Sequence, residues 1–419
     1  MPLLKVEANK LTLPSLQLGV VQTIITRGAR ELLADLPFKS FEGESYAFNR
    51  EKTLPTDNSA RDPYGSSLPG GVGTRQRVAV ESGMLARNVD TAKIDIIGKS
   101  NLNNQRNNDI LLASKKLAGD LVAQFLHGIH DDSGTYTDYN LKGLEYWLKF
   151  YEADFNEQKI FGTTNGLVTG TKSALSLRMV DDLLSRHFGG DFTAIYSDRA
   201  TQVTFMNLYN LAGGNTGAMF MDANFGKGER VFSYRGKPWY VLDEAGAPKN
   251  SITGDIATSA VGGVTVGASP FTTITVSDIA DPFFLGFSDI DVGRSITISG
   301  AAAAAADLTT TIVSVTNYRQ VVIADAADSA VTGKALRMAK ANVIYAVRYD
   351  EEDGVTALFH ENMTAPADAG EYFGPIAGFD FTDLGDHQDA PVKRARIDWY
   401  GNMVQHSPYA VARLSHFIG

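Results

Sequence analysis

Cysteine is absent from the 419-residue sequence, which excludes disulfides, thiolate metal sites and cysteine nucleophiles together. Long apolar runs are also missing. No uncharged apolar stretch is long enough to span a bilayer, and residues 1–10 lack the apolar core of a secretory signal. Positive charge is scarce, because 38 Lys and Arg against 48 Asp and Glu leave a net charge of −10. Such a surface repels phosphate and disfavours a nucleic-acid-binding role. These features predict a soluble, acidic protein that is intracellular when it is synthesised.

Sequence signatures of catalysis are missing as well. Residues 98–100 (Gly-Lys-Ser) resemble the end of a phosphate-binding loop, but Lys93 stands where that motif needs its first glycine. The hydrolase motif G-x-S-x-G does not occur. His127, His130 and the two aspartates that follow could share a metal ion, although a histidine pair near a helix carboxyl end is the commoner explanation. We therefore predict no enzyme activity, no catalytic residue, no metal site and no cofactor.

The first hundred residues predict a helix followed by a long hairpin. Apolar residues between positions 21 and 33 have helical spacing, and Pro37 ends the pattern. Residues 45–51 and 75–80 alternate as β-strands do. The intervening residues 55–73 are rich in proline and glycine, which indicates an extended tip. Since two strands alone cannot bury a core, this hairpin must find a partner surface.

The middle of the chain predicts alternating helices and strands. Asp109 can cap a long helix that Gly128 ends, and Asp198 can cap a later one. Between them, Ser173 opens a helix that glycines 189 and 190 close. Short strands are predicted at residues 192–196, 230–233 and 239–242. The chain length predicts two or three domains.

At about residue 249 the composition changes, and until about residue 340 it is rich in Thr, Ser, Ala, Val, Gly and Asp with short β runs. This change predicts a small β domain inserted into the α/β region, with additional strands of one sheet as the alternative. The alanine run 301–306 is too short for an isolated helix and is interpreted as a loop or strand extension. Strands are predicted again at 343–349 and 392–400, and the apolar segment 409–418 follows.

This order of parts resembles the major capsid proteins of tailed bacteriophages, whose Hong Kong-type capsid fold is shared by encapsulins and herpesvirus shell floors. Two stretches are also similar in sequence to one phage capsid subgroup. Residues 46–55 (YAFNREKTLP), preceded by 36–38 and 41–43, are similar to the entry strand of the extended loop. Residues 394–401 (RARIDWYG), followed by Pro408 and 410–414, are similar to the closing strand of the peripheral domain.

The resemblance implies an α+β Hong Kong-type capsid fold with seven segments. They are an N-terminal arm (1–37), an extended-loop region (38–98), a peripheral domain with a spine helix (99–165), an axial domain (166–248), an inserted β-rich domain (249–340) that projects outward from the shell or contacts adjacent capsomers, the axial domain continued (341–385), and a C-terminal peripheral strand (386–419). The expected assembly contacts are Ile24, Arg27, Glu31, Tyr46, Phe48, Arg50, Glu51, Pro63, Arg75, Arg394 and Arg396.

The implied function is that of a major capsid protein. Copies of the chain would form pentamers and hexamers of an icosahedral or prolate shell around packaged double-stranded DNA, assembled in the host cytoplasm. The chain lacks the long N-terminal scaffolding domain of some relatives, so the resemblance implies a separate scaffold or none. A portal and possible decoration proteins are the other expected partners. DNA would be contacted only non-specifically, and no membrane would be involved.

Three alternatives stay open at the level of sequence. An encapsulin-like shell for protein cargo would share the same fold, although a β-rich insertion of this size favours a phage protein. An α/β enzyme with a β-rich accessory domain would need a pocket with perturbed titratable groups. A phage tail or surface adhesin would suit the Thr- and Ser-rich segment but leaves the long helix and the α/β half unexplained.

Overall fold

We analysed a computed structural model of the chain. It describes residues 32, 35–53, 73–93, 105–132, 134, 140–152, 156–187, 191–213, 220–222, 230–242, 252–257, 271–276, 284–328, 331–360, 379–387 and 390–418.

The described residues include four α-helices, which are α1 (Gln105–His127), α2 (Leu144–Tyr151), α3 (Leu177–Ser185) and α4 (Arg199–Leu211). The Ser176 hydroxyl accepts a hydrogen bond from the Met179 amide at the start of α3. The Asp198 carboxylate accepts from the Thr201 amide at the start of α4. Each cap satisfies a backbone donor that has no partner within its own helix. Within this part of the chain no helix combines the length and apolar character needed to cross a membrane.

A seven-stranded mixed sheet carries α3 and α4. Its strands in spatial order are β5 (Lys159–Phe161), β21 (Val411–Ser415), β17 (Val343–Val347), β7 (Ala194–Ser197), β10 (Lys237–Val241), β9 (Arg230–Tyr234) and β8 (Phe220–Asp222). In β17, Val343, Tyr345 and Val347 join one core cluster, whereas Ile344 and Ala346 join another. The strand reads as a continuous apolar run because both faces of the sheet are covered.

A five-stranded sheet packs against α1. It consists of β1 (Phe38–Phe41), β18 (Val355–His360), β20 (Val392–Gln405), β19 (Phe379–Asp386) and β4 (Gly83–Ala92), with β20 as the long interior strand. The fully buried Trp399 of β20 meets the ring of Phe125 edge to face, with 5.8 Å between ring centroids. Burying a side chain of this kind contributes about 1.5–3 kcal/mol, so this contact is a main attachment of α1 to the sheet.

Six strands between residues 252 and 338 form a closed barrel. Its order is β11 (Ile252–Ala257), β12 (Phe271–Thr275), β15 (Gln320–Ala327), β14 (Leu308–Asn317), β13 (Ser295–Ile298) and β16 (Val331–Met338). The barrel has its own apolar core, which includes Ile296, Ile312 and Leu336. The predicted β-rich insertion therefore forms a separate closed sheet rather than additional strands of a neighbouring sheet. The alanine run makes a tight loop with one 3₁₀ turn at Ala303–Ala305.

Two small sheets complete the described fold. One is the hairpin of β2 (Ser45–Thr53) and β3 (Thr74–Glu81), and the other pairs β6 (Ser173–Ala174) with β22 (Phe417–Ile418). The predicted N-terminal helix, apart from residues 32 and 35, lies outside the described residues, and so does the hairpin tip between residues 54 and 72.

Two expectations about local structure were wrong. Asp109 does not begin α1, which starts at Gln105; its carboxylate instead accepts a hydrogen bond from the Thr91 hydroxyl at 2.9 Å. Ser173 does not open α3 because it pairs with Phe417 as a strand residue, and Ser176 is the cap. Both errors arise because a serine or aspartate can satisfy backbone groups in several local conformations.

Two of the sheets combine strands that come from different predicted segments. β1 and β4, both inside the predicted extended-loop region 38–98, belong to the five-stranded sheet. β21, inside the predicted peripheral strand 386–419, lies in the seven-stranded sheet beside β17. Strand pairing is a long-range property that alternation along one segment does not encode, so these assignments need the structure.

Candidate assembly surfaces

The hairpin of β2 and β3 is the most extended feature of the described chain. Within the described residues its two strands pair only with each other, in antiparallel register from Ser45 opposite Glu81 to Thr53 opposite Thr74. Successive strand residues point to opposite faces. Tyr46, Phe48 and Arg50 therefore share one face.

That face is anchored on the protein's own core near residue 406. The Tyr46 hydroxyl lies 3.3 Å from His406 Nε2 and also accepts a hydrogen bond from Lys39 Nζ at 3.3 Å. The Phe48 ring meets the His406 ring edge to face, at 5.0 Å between centroids. Burial lowers the pKa of His406, which keeps the imidazole neutral as a packing partner for these rings. The first half of β2 is therefore attached within the subunit.

Arg50 provides a second anchor further along the strand. Its guanidinium lies 4.8 Å from the centre of the Tyr151 ring and 5.4 Å from that of Phe150, both at the end of α2. Its Nε donates to Gln76 Oε1 on the partner strand at 2.9 Å. Cation–π contacts of this type contribute about 0.5–2 kcal/mol. Arg50 thus fixes both strands of the hairpin to α2.

Glu51 and Arg75 are the exposed members of the predicted contact set on this hairpin. They are directly opposite in the strand register, and their closest charged atoms are 4.0 Å apart. Their side chains are 70% and 79% exposed, respectively. An ion pair this exposed contributes little to the stability of the subunit. Both side chains are therefore available to a neighbouring molecule at little cost.

Arg394 and Arg396 are paired within the subunit on β20. Arg394 binds both carboxylate oxygens of Asp90, its cross-strand partner on β4, at 2.6 and 2.7 Å. This hydrogen bonding holds the pKa of Asp90 below its usual value. Arg396 donates to the buried carboxylate of Asp398. The two arginines lie on the five-stranded sheet and not beside the hairpin anchors.

The other four predicted contacts, Ile24, Arg27, Glu31 and Pro63, lie outside the described residues. The structure thus brings Tyr46, Phe48 and Arg50 together, and it places Glu51 and Arg75 on the same hairpin. That any of these residues contacts a neighbouring subunit stays a prediction.

A buried charged cluster, which the sequence analysis missed, lies between the sheets and the barrel. Arg413 of β21 donates to Glu145 of α2 and to Asp289, with 2.9 Å between Arg413 Nη1 and Asp289 Oδ1. Lys159 of β5 lies 3.1 Å from the other Asp289 oxygen, and the Tyr345 hydroxyl donates to Glu145 at 2.8 Å. We call these five residues the buried charge cluster.

The two carboxyls of the buried charge cluster are tuned in opposite directions. Burial raises the pKa of Glu145, and Arg413 only partly offsets it. Burial also acts to raise the pKa of Asp289, but Arg413 and Lys159 outweigh it and hold that pKa well below its usual range. Asp289 is therefore the firmly ionised partner of Arg413. No sequence signal could have found the cluster, because its members are far apart in the chain.

The barrel is joined to the rest of the molecule beside this cluster. His416 Nε2 is 3.0 Å from the Val292 carbonyl, and Asn140 Nδ2 donates to the Phe284 carbonyl at 2.6 Å. The Ile129 amide donates to the Leu285 carbonyl at 3.1 Å. These contacts and Asp289 attach residues 284–292, which precede β13 at the base of the barrel, to β21 and to the segments that follow α1 and β21.

The predicted histidine cluster at the end of α1 does not converge on a point. His127 is buried with a ring nitrogen 3.2 Å from the Tyr345 hydroxyl, whereas His130 faces the Asn140 carbonyl at 3.2 Å. Asp132 accepts hydrogen bonds from Lys142 and Tyr146. Within the described ranges no three metal-ligating side chains are grouped so that they could hold an ion.

A cleft of about 440 Å³ lies between α2 and the turn that joins β14 to β15. Tyr146 lines it, and burial together with Asp132 raises the pKa of this phenol far above its usual value. The phenol therefore stays protonated near neutral pH and donates a hydrogen bond to Asp132.

Comparisons with known proteins identify the fold. No family model matches the sequence, and no curated protein matches it either. An encapsulin from Synechococcus elongatus, solved in a holo complex, superposes with a TM-score of 0.51 at 13% identity, covering 100% of this chain and 96% of that one. A chain of the cyanophage A-1(L) capsid gives 0.49 at 10% identity with 92% of each chain covered, and a chain from Microbacterium phage Oxtober96 gives 0.42 at 9% with 91% and 89% covered. The chain has the Hong Kong-type capsid fold that encapsulins share, as the sequence resemblance predicted.

Proposed function

We propose that this chain is the major capsid protein of a tailed bacteriophage, a structural shell subunit and not an enzyme. The observation that carries the proposal is the capsid fold over the whole chain together with the hairpin. The hairpin is anchored at one end by Tyr46, Phe48 and Arg50, while its strands pair with nothing else among the described residues. A two-stranded ribbon of this kind is marginal alone and is stabilised when a neighbouring subunit covers it.

Exposed charges on the hairpin fit the same role. Glu51 and Arg75 form a weak, solvent-exposed pair that a neighbour can exchange for its own charged groups. Specific interfaces commonly bury about 1,600 Å² in total, and a projecting hairpin increases the area that each subunit can bury. In this proposal the hairpin of each copy packs on one neighbour, and the hairpin of another neighbour packs on that copy.

The partners and location follow from the proposal. The chain binds further copies of itself as pentamers and hexamers in the virion head, and the shell assembles in the host cytoplasm. A separate scaffold, a portal and decoration proteins are the other proposed partners. The net charge of −10 suits a wall that encloses packaged DNA without gripping it. The seven segments named from the sequence remain part of this proposal, including an arm that crosses to a neighbour and an inserted barrel that projects outward or contacts adjacent capsomers.

The proposal is tested by electron microscopy and sizing of the recombinant chain, alone and with the products of neighbouring genes. We expect closed shells, or free pentamers and hexamers. A subunit that stays monomeric or dimeric in all of these conditions contradicts the proposal. The double variant Glu51→Lys/Arg75→Glu keeps the intramolecular pair with its signs reversed. It therefore tests whether assembly depends on contacts between these charges and a neighbouring subunit.

A cargo-storing, encapsulin-like shell is the second candidate. It is favoured by the superposition on the Synechococcus elongatus encapsulin, which covers the entire chain. Because that coverage includes the barrel, the inserted domain does not distinguish a phage capsid protein from an encapsulin. The sequence similarity of residues 46–55 and 394–401 to a phage subgroup favours the capsid function. The contents of particles purified from the native source distinguish them: packaged double-stranded DNA indicates a phage head, and a single enclosed protein indicates a storage compartment.

A further inference from the structure

One face of α4 is exposed and nearly free of charge. Ala200, Val203, Asn207 and Leu211 follow one another at helical spacing and are all exposed, with Val203 at 48% and Leu211 at 85%. The opposite side of the helix carries the buried Thr201 and Phe205. We call the four exposed residues the α4 face. From Ala200 to Met221 the sequence contains no charged residue.

The buried side of α4 fixes where this face lies. Phe205 packs on Phe232 of β9 and Trp239 of β10, and Gln202 Nε2 donates to the Trp239 carbonyl at 2.9 Å. The helix thus covers the part of the seven-stranded sheet next to its edge strand β8. Solvent-facing helices normally carry charged residues on their outer side, so an uncharged exposed face is typical of a contact surface.

A second uncharged surface lies at the opposite edge of the same sheet. The loop of residues 163–172 follows the edge strand β5, and the sequence has no charge from Ile160 to Thr171. Leu167 in this loop is 59% exposed, and Ile418 of the adjacent strand β22 is 57% exposed. The two surfaces therefore lie at opposite edges of the seven-stranded sheet, one next to the edge strand β5 and the other next to the edge strand β8.

The loop holds Leu167 firmly in its exposed position. The Leu167 amide donates to Asn165 Oδ1 at 3.1 Å. The Leu167 carbonyl accepts from the Thr163 hydroxyl at 2.8 Å and from the Gly170 amide at 3.0 Å. Gly166 supplies the left-handed backbone conformation of the turn, with φ of +68°. A leucine whose backbone is fixed in this way is presented with little conformational entropy left to lose on binding.

We propose that the α4 face of one copy packs on Leu167 and Ile418 of the next copy, head to tail, and that this contact closes a ring of subunits. The proposal rests on the proposed shell function and names the contact that holds one ring together. Two different patches at opposite edges make a heterologous interface, and such interfaces generate rings when the rotation between neighbours closes. The interface is apolar at its centre, as such contacts usually are.

Disulfide cross-linking tests the contact directly, because the chain has no cysteine of its own. The double variant Leu167→Cys/Leu211→Cys is assembled, oxidised or treated with a short bismaleimide, and run on a non-reducing gel. We expect a ladder that extends to the ring size. The control Leu112→Cys/Leu167→Cys, in which Leu112 is 61% exposed on α1, should give no ladder.

A second variant separates assembly from folding. Leu211→Asp places a charge in the proposed interface at a side chain that is 85% exposed, so the isolated subunit should keep its circular dichroism spectrum and melting temperature. We expect the fraction of chains in particles to fall at least tenfold, whereas the matched variant Leu112→Asp should assemble like the unaltered protein.

The outcomes distinguish this inference from the shell function. If rings or shells form but the Leu167–Leu211 ladder does not, or if Leu211→Asp assembles normally, the contact is wrong and the shell function stands. If the unaltered chain forms neither rings nor shells with any partner, the shell function itself fails.

Discussion

Arg413 is completely buried between Glu145 and Asp289, which come from α2 and from the base of the barrel. Removing one partner of a buried ion pair leaves the other charge without compensation and costs about 3–5 kcal/mol. We therefore expect Arg413→Met to lower the free energy of unfolding by about 3–5 kcal/mol in urea titrations of the unassembled subunit.

Arg75→Met is the matched control for this prediction. Its side chain is 79% exposed and its carboxylate partner is 4.0 Å away, so we expect a change within about 0.5 kcal/mol. Equal effects of the two substitutions would contradict the assignment of Arg413 as a structural centre.

Residue-scale features were the least accessible to sequence reasoning. Arg413, Glu145 and Asp289 are ordinary charged residues in an acidic chain, and nothing in their local sequence marks them for burial. Asp198 was predicted as a cap because a cap and its helix are neighbours in sequence. Glu145 and Arg413 are joined only after the sheet brings β21 next to α2.

At the scale of elements, the hairpin of β2 and β3 depends on a few anchoring side chains. Arg50 connects both strands to the aromatic rings of α2 and to Gln76. We expect Arg50→Ala to accelerate hydrogen exchange of the β2 and β3 amides by about tenfold to a hundredfold, which corresponds to the loss of about 1.4–3 kcal/mol of local stability.

Arg77→Ala is the control, because Arg77 is exposed on the neighbouring strand of the same hairpin. Exchange in the seven-stranded sheet should be unchanged in both variants, which shows that the effect is local. If Arg77→Ala accelerates exchange as much as Arg50→Ala does, the hairpin is not held by the contacts of Arg50.

Elements with strong periodicity were predicted well, and those set by tertiary contacts were not. Alternation between residues 45 and 51 predicted β2 because one face of the strand is anchored and the other faces solvent. The first turn of α3 was misplaced because Ser173 and Ser176 are equally good cap residues. Only the pairing of Ser173 with Phe417 decides between them.

For the whole molecule, the junction between barrel and sheets predicts how stability depends on pH. Burial lowers the pKa of His416 to about 4, with Arg413 and Lys172 adding to the effect while Asp289 and the Val292 carbonyl oppose it. Since the folded-state pKa lies below the unfolded value of about 6.5, the unfolded chain binds more protons in this window. Stability is therefore lost as the pH falls from about 6.5 towards 4.

From pH 7 to pH 5 this single group should remove about 2 kcal/mol from the free energy of unfolding. The variant His416→Asn keeps a donor for the Val292 carbonyl and suits the φ of +61° at this position. We expect urea titrations at the two pH values to show a loss that is smaller by about 2 kcal/mol in the variant. An identical loss would show that His416 titrates as it does in the unfolded chain.

The architecture was predicted from the order of its parts, not from their pairing. The compositional change near residue 249 located the barrel because a separate β domain has its own composition. The strand pairing was not predicted, since β1, β4 and β21 pair with strands that are remote in sequence. Pairing between strands that are remote in sequence leaves no pattern in the sequence of either strand.

The order of β20 and β21 in the chain has a consequence for synthesis on the ribosome. β20 is an interior strand of the five-stranded sheet and β21 an interior strand of the seven-stranded sheet, and both follow every other strand of those sheets in sequence. Neither sheet can close while the nascent chain is still shorter than these residues. Translation products that stop before Val392 therefore lack an interior strand of each sheet and cannot complete either one.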